Sequence, residues 1–162
     1  MADNTSRKGA ALLIALALAA PAEGLRRVAY YDPPGVLTVC RGHTGPDVAK
    51  NRVYSLKECD ALFDDDMRKA VDAVDACVPN LPTPVLAAFA DAGYNMGKTI
   101  ACDTKRSTAA RLLKAGDLAG ACRQLPRWDK ARVAGVMVSL PGLTKRRALE
   151  MDVCLEVLEA LA

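Results

Sequence analysis

The chain has 162 residues, 51% of them hydrophobic, and a formal net charge of +3. That is enough apolar material for one good core in a single main domain. The charge is mild and dispersed, and the aromatics are one Trp, two Phe and four Tyr, which excludes a basic stripe or a stacking platform for nucleic acid and suits a polyanionic surface such as a bacterial envelope.

In chain order, Arg7 and Lys8 precede an uncharged run at 9–22, GAALLIALALAAPA. A membrane-spanning helix needs about 20 apolar residues, so this run is a marginal span. An apolar core of about 7 to 15 residues after a positive start is what the export machinery reads. Ala20 and Ala22 offer a cleavage site before Glu23, but a cut there would leave Glu23 without the helix that holds it. Residues 1–22 are therefore expected to be an export segment that is retained. It serves first as a weak membrane anchor and then, after leaving the bilayer, as the first helix of the active domain at 23–162. Escape is feasible because Ala contributes much less transfer free energy than Leu. The alternative is an ordinary cleaved signal.

Glu23 closes the apolar run, eight residues separate it from Asp32, and five separate Asp32 from Thr38. Pro33, Pro34 and Gly35 break any helix and suit a tight turn, and Val36–Val39 is β-prone. Two carboxylates and a hydroxyl can thus converge on one cleft from a helix end, a turn and a strand. A loop through Gly45, Pro46, Asp47 and Asn51 leads to Ser55 and Glu58 in capping-box spacing. The following helix is expected to bury Leu56, Cys59, Leu62, Phe63, Met67, Ala70, Val71 and Val74 and to end near Cys77, ahead of Pro79, Pro82 and Pro84.

A largely helical second lobe is expected beyond. Thr83 is placed as a cap with Pro84 at the first helical position, and Gly93 and Gly97 bracket Tyr94-Asn95-Met96. Two short helices are read at 104–114 and 117–125, split by Gly116, with Trp128 in the core. A final helix is read from Leu143 to Leu161. Its Arg146 and Arg147 are assigned to the surface by default, with one of them reaching Glu23 as a charge partner. The six cysteines lack CxxC or zinc spacing, which argues against a metal site. In an exported chain they imply three disulfides, with many pairings open.

These residues resemble the phage-type lysozymes, a glycoside hydrolase family, and in particular endolysins with an N-terminal signal-anchor-release (SAR) segment. The Glu–Asp–Thr spacing carries the resemblance, with Gly42-His43, Leu62-Phe63 and Asp66, Tyr94 to Gly97, Ser107-Thr108, Leu113 to Gly116, Arg127-Trp128, Gly142-Leu143 and Arg146-Arg147. It covers residues 9–162. The resemblance implies an α+β, mainly α, lysozyme-like fold, in which a small N-terminal β-hairpin lobe and a helical C-terminal lobe flank a cleft.

The resemblance further implies hydrolysis of the β-1,4 bond between N-acetylmuramic acid and N-acetylglucosamine in bacterial peptidoglycan, for host lysis. Glu23 is the implied general acid, and Asp32 with Thr38 holds the attacking water in an inverting mechanism. A nucleophilic Asp32 stays open, because sequence spacing does not give carboxylate separation. Thr44, Tyr94, Asn95 and Ser107 are the implied substrate contacts, and His43 with Asp66 a structural salt bridge. The disulfides implied by the family layout are Cys40 with Cys59, Cys77 with Cys102 and Cys122 with Cys154. No metal or other cofactor and no nucleic acid is implied. The chain is expected to act on glycan strands as a monomer, tethered to the inner membrane through residues 9–22 and then periplasmic in a Gram-negative host. A lytic transglycosylase, a non-catalytic cell-wall-binding protein and a purely structural membrane-anchored protein are the competing readings.

Overall fold

A computed structural model describes residues 3–160. Helix α1 (Asn4–Ala19) is followed by a three-stranded antiparallel sheet of β1 (Arg26–Tyr31), β2 (Leu37–Cys40) and β3 (His43–Thr44). Helices α2 (Leu56–Cys77), α3 (Thr83–Met96), α4 (Thr99–Cys102), α5 (Thr108–Ala115) and α6 (Leu118–Cys122) come next. A 3₁₀ turn (Leu125–Trp128), the hairpin β4 (Lys130–Val133) and β5 (Val136–Ser139), and α7 (Pro141–Ala160) complete the chain. Leu161, the last residue of the expected final helix, lies outside the described residues.

The α1 helix packs on α2 and α3. Its buried face is Ala11, Leu12, Ala15 and Ala19, while Leu13 is 70% exposed. Small residues on that face let α1 lie close to α3, whose Val85 to Ala92 are buried throughout. Arg7 closes the contact at the open end by pairing with Asp75 at 2.6 Å and donating to the Leu81 carbonyl at 3.0 Å. No described helix is long and apolar enough to cross a membrane.

The Ser55 hydroxyl accepts from Glu58 N, and the Glu58 carboxylate accepts from Ser55 N at 2.7 Å, so α2 starts on a complete capping box. Its buried stripe is Cys59, Phe63, Met67, Val71 and Val74; Leu56, expected on that stripe, is 56% exposed because it sits at the first turn, ahead of the packed surface.

The structure differs from the sequence reading in several places, α6 ending at Cys122 and α7 beginning at Pro141 among them. Helix α3 begins at Thr83 itself, preceded by Pro82 with no side-chain cap, so Pro84 takes the second helical position. Helix α5 starts at Thr108 rather than at 104, because the Ser107 hydroxyl accepts from Ala110 N and fixes the start there. Residues 130–139, within a lobe expected to be largely helical, form a hairpin turning at Ala134 and Gly135, both with positive φ. That hairpin leaves Val133, Val136, Met137 and Val138 exposed. Trp128 is half-buried against the main core.

Disulfides join Cys40 on β2 to Cys59 on α2, Cys77 at the end of α2 to Cys102 on α4, and Cys122 on α6 to Cys154 on α7, with Cα–Cα distances of 5.0, 5.5 and 5.7 Å. Each links neighbouring elements, and none reaches α1.

Candidate active site

The small sheet and the α2–α3 pair enclose a cleft of about 550 Å³ whose walls include Glu23, Asp32, Thr38, Thr44, Tyr94 and Asn95. Glu23 stands just past the end of α1, in a turn rather than in the helix: Pro21 ends the helical run, and Glu23 N donates to Ala19 O at 3.0 Å. The carboxylate is 19% exposed, and its Oε1 accepts from Arg146 Nη1 at 2.6 Å. Its Oε2 borders Gly42, where a Cβ would lie 3.6 Å from that oxygen and 3.7 Å from the Tyr94 hydroxyl. With φ +87 at Gly42, the backbone turns there in a way that favours glycine.

Asp32 heads the β1–β2 turn. Its Oδ1 accepts from Val36 N at 2.7 Å, and its own N–H donates to Val36 O, so the carboxylate is oriented by the hairpin it starts. Thr38 faces Tyr30 across β1 and Thr44 across β3. It is 3% exposed, and its hydroxyl donates to Val36 O at 3.0 Å. The β1–β2 register shifts between Arg26 and Tyr30, an irregularity of the kind that bends a strand.

Tyr94 anchors the far wall. Its hydroxyl donates to the Arg41 carbonyl and its ring meets Phe63 edge-on at 5.8 Å. Burial first, and then the Glu23 charge, pushes the phenol well above its ordinary range, so it stays a neutral donor. Met96, next along, is not on the cleft wall. His43 Nδ1 lies 2.7 Å from Asp66, and Nε2 lies 3.1 Å from Asp47. Burial works against its charge, but the bonds to Asp66 and Asp47 outweigh it and raise His43 above its ordinary value. With a carboxylate at each nitrogen, imidazolium alone donates at both.

Ser107, expected to touch substrate, does not reach the cleft. It is fully buried, donates to Ile100 O at 2.6 Å and caps α5.

Arg146 and Arg147, assigned to the surface by default, are 5% and 0% exposed. They are drawn inward by carboxylates that the sequence reading passed over. Asp91 on α3 accepts from Arg146 Nε at 3.1 Å and from Nη2 at 2.6 Å. Glu150 accepts from Arg147 Nη2 at 2.8 Å, and the same nitrogen donates to Asn95 at 3.0 Å. Burial and the neighbouring Asp91 push Glu150 upward. One signal could have found Asp91: it is the only charged residue in the apolar run VLAAFADA, and a lone charge there needs a buried partner.

The phage lysozyme family model matches residues 20–150. The SAR-endolysin of Escherichia phage Mu is 40% identical over 132 residues, 81% of this chain and 72% of that protein. The SAR-endolysin of bacteriophage PS119 is 37% identical over 134 residues, 82% of this chain and 76% of that protein. Among solved structures, the endolysin from Escherichia coli O157:H7 phage FAHEc1 superposes with a TM-score of 0.74 at 27% identity, covering 89% of this chain and 92% of that one. The chain belongs to the phage lysozyme family and is a glycoside hydrolase of the SAR-endolysin kind.

Proposed function

We propose that the cleft cleaves the β-1,4 bond between N-acetylmuramic acid and N-acetylglucosamine in peptidoglycan, with Glu23 as the general acid. The observation that carries this reading is that Glu23, Asp32 and Thr38 line one cleft. Hydrolysis of a glycoside needs an acid for the leaving oxygen and a second group for water or for the developing positive charge. Glu23 has one oxygen held by Arg146 and the other bordering Gly42. Asp32, half-exposed and fixed by its turn, holds the attacking water together with Thr38, and the anomeric centre inverts. Tyr94, Asn95 and Thr44 contact the glycan strand.

Residues 1–22 are retained in this reading. They tether the exported chain weakly to the inner membrane of a Gram-negative host, and α1 then leaves the bilayer to pack on α3. The Ala-rich buried face of α1 and its position directly ahead of Glu23 support that sequence. The released chain acts as a periplasmic monomer.

The test is turbidity loss of purified peptidoglycan with the full-length oxidised protein and with Glu23→Gln, followed by mass analysis of the fragments. Lysis by the wild type alone, giving reducing muropeptides, is expected. Anhydro products identify a transglycosylase, and equal activity of the two proteins removes Glu23 from its role. NMR of the first-formed anomer separates inversion from retention.

A further inference from the structure

An acid beside an arginine is an electrostatic conflict. Arg146 Nη1 bonds Glu23 Oε1 at 2.6 Å, and a neighbouring cation favours the ionised carboxylate. Protonating a leaving oxygen requires the neutral acid. The far side of the same guanidinium carries the compensating charge. Asp91 is fully buried, and both of its oxygens accept from Arg146, leaving Nη1 as the arm that reaches Glu23. Such a planar two-point pairing fixes the direction of the remaining arm as well as its charge.

We propose that Asp91 is a positioning residue for the catalytic acid: acting through Arg146, it aims the Nη1 arm at Glu23 and offsets the guanidinium charge beside it, so that Glu23 can serve as the acid for the leaving oxygen. This rests on the reading of Glu23 as the acid. Asp91 touches no substrate, since it lies behind the cleft wall between α3 and α7.

The charged surroundings make the test specific. From α7, Arg146, Arg147 and Glu150 face Asp91. Around Glu23 stand Arg146 and Lys145 on α7, Tyr94 on α3 and, across the cleft, Tyr30, Asp32, Asp66, Lys69 and Lys98. An Asp91→Asn substitution leaves all of these in place and removes one charge at nearly constant shape.

The experiment measures kcat and KM on soluble glycan strands across pH for the oxidised full chain, Asp91→Asn, Arg146→Gln and the double variant. Asp91→Asn is expected to lower kcat about tenfold to a hundredfold with KM within about twofold, and to move the alkaline limb of kcat/KM to lower pH. Arg146→Gln is expected to move that limb to higher pH. In the Arg146→Gln background, adding Asp91→Asn should cost little further kcat, because the arm it positions is already gone, while the limb should fall back toward its wild-type place as the uncompensated Asp91 charge is removed.

A loss of kcat with an unmoved limb would make Asp91 merely structural and overturn the proposal. A kcat loss of the same size in both backgrounds would overturn it too, since Asp91 would then act without Arg146. If Asp91→Asn alone does not fold, the double variant compared with Arg146→Gln still decides: a limb moved to lower pH with little further loss of kcat supports the proposal, and a further kcat loss or an unmoved limb refutes it. Failure of the underlying reading is separately visible as a Glu23→Gln protein that still hydrolyses.

Discussion

If residues 9–22 tether the chain as proposed, replacing Ala15 by Leu should hold it at the membrane, and replacing Leu13 by Ala should release it. Ala15 is fully buried on the face of α1 that meets the rest of the domain, while Leu13 points to solvent at 70% exposure. A Leu at position 15 adds three carbons to a packed site, which costs the folded domain about 1–3 kcal/mol. The same carbons favour an apolar environment by about 2 kcal/mol, at roughly 0.8 kcal/mol per methylene. The two effects act in the same direction, so the balance between anchored and docked α1 shifts by about 3–5 kcal/mol, a factor of about a hundred to a few thousand. Leu13→Ala removes about 2 kcal/mol from the bilayer side and, as an exposed change, moves the folded domain by no more than about 0.5 kcal/mol. The assay is membrane and soluble fractionation after pulse labelling, with thermal unfolding of the released protein alongside. If the two variants partition identically, or Leu13→Ala stays longer in the membrane fraction, residues 9–22 do not exchange between bilayer and domain.

Three further outcomes are expected. His43 binds its proton more tightly when folded, so its contribution to stability is complete below about pH 6.5, the unfolded value, and fades as pH rises through the raised folded value; Asp66→Asn should flatten that loss when guanidinium midpoints at about pH 6 and pH 8.5 are compared. Replacing Cys122 and Cys154 together by Ser opens a loop whose ends are 32 residues apart, and equilibrium unfolding should show a loss of about 3–4 kcal/mol. Ser107→Ala removes a helix cap and a buried donor, so it should cost about 1–2 kcal/mol by the same measurement while leaving the turnover of the folded enzyme unchanged, in keeping with its place outside the cleft.

The small lobe was the most legible part of the molecule. Asp32, two prolines and Gly35 can hardly form anything except a turn, and Val36 to Val39 then returns as a strand. The Ser55–Glu58 box likewise marks the start of α2, because each group there answers a free donor of the other. The pairing of the buried charges was less legible. Arginine belongs on the surface unless something neutralises it, and the groups that do so, Asp91 and Glu150, lie 55 and 3 residues from Arg146 and Arg147 respectively. Only the fold brings α3 against α7. The β4–β5 hairpin escaped for a different reason: Lys130 to Ser139 alternates only weakly, and its turn uses Ala134 in a conformation that side chains seldom adopt. Ser107 was misread because a hydroxyl near a cleft and a hydroxyl at a helix start look alike in sequence.

The placement of the three disulfides divides the molecule into parts of unequal durability. The body from Cys40 to Cys154 carries three disulfides that close successive loops, whereas α1 is held by side-chain packing and by the ion pairs of Arg7 with Asp75 and Lys8 with Asp72. The native state therefore has a detachable margin, and the first opening on warming should be the departure of α1 from an otherwise intact body. Amide exchange along α1 would then run ahead of exchange in α2 and α3. Because Glu23 follows α1 directly, inactivation on heating would precede global melting, and it would reverse on cooling for as long as the cross-braced body survives.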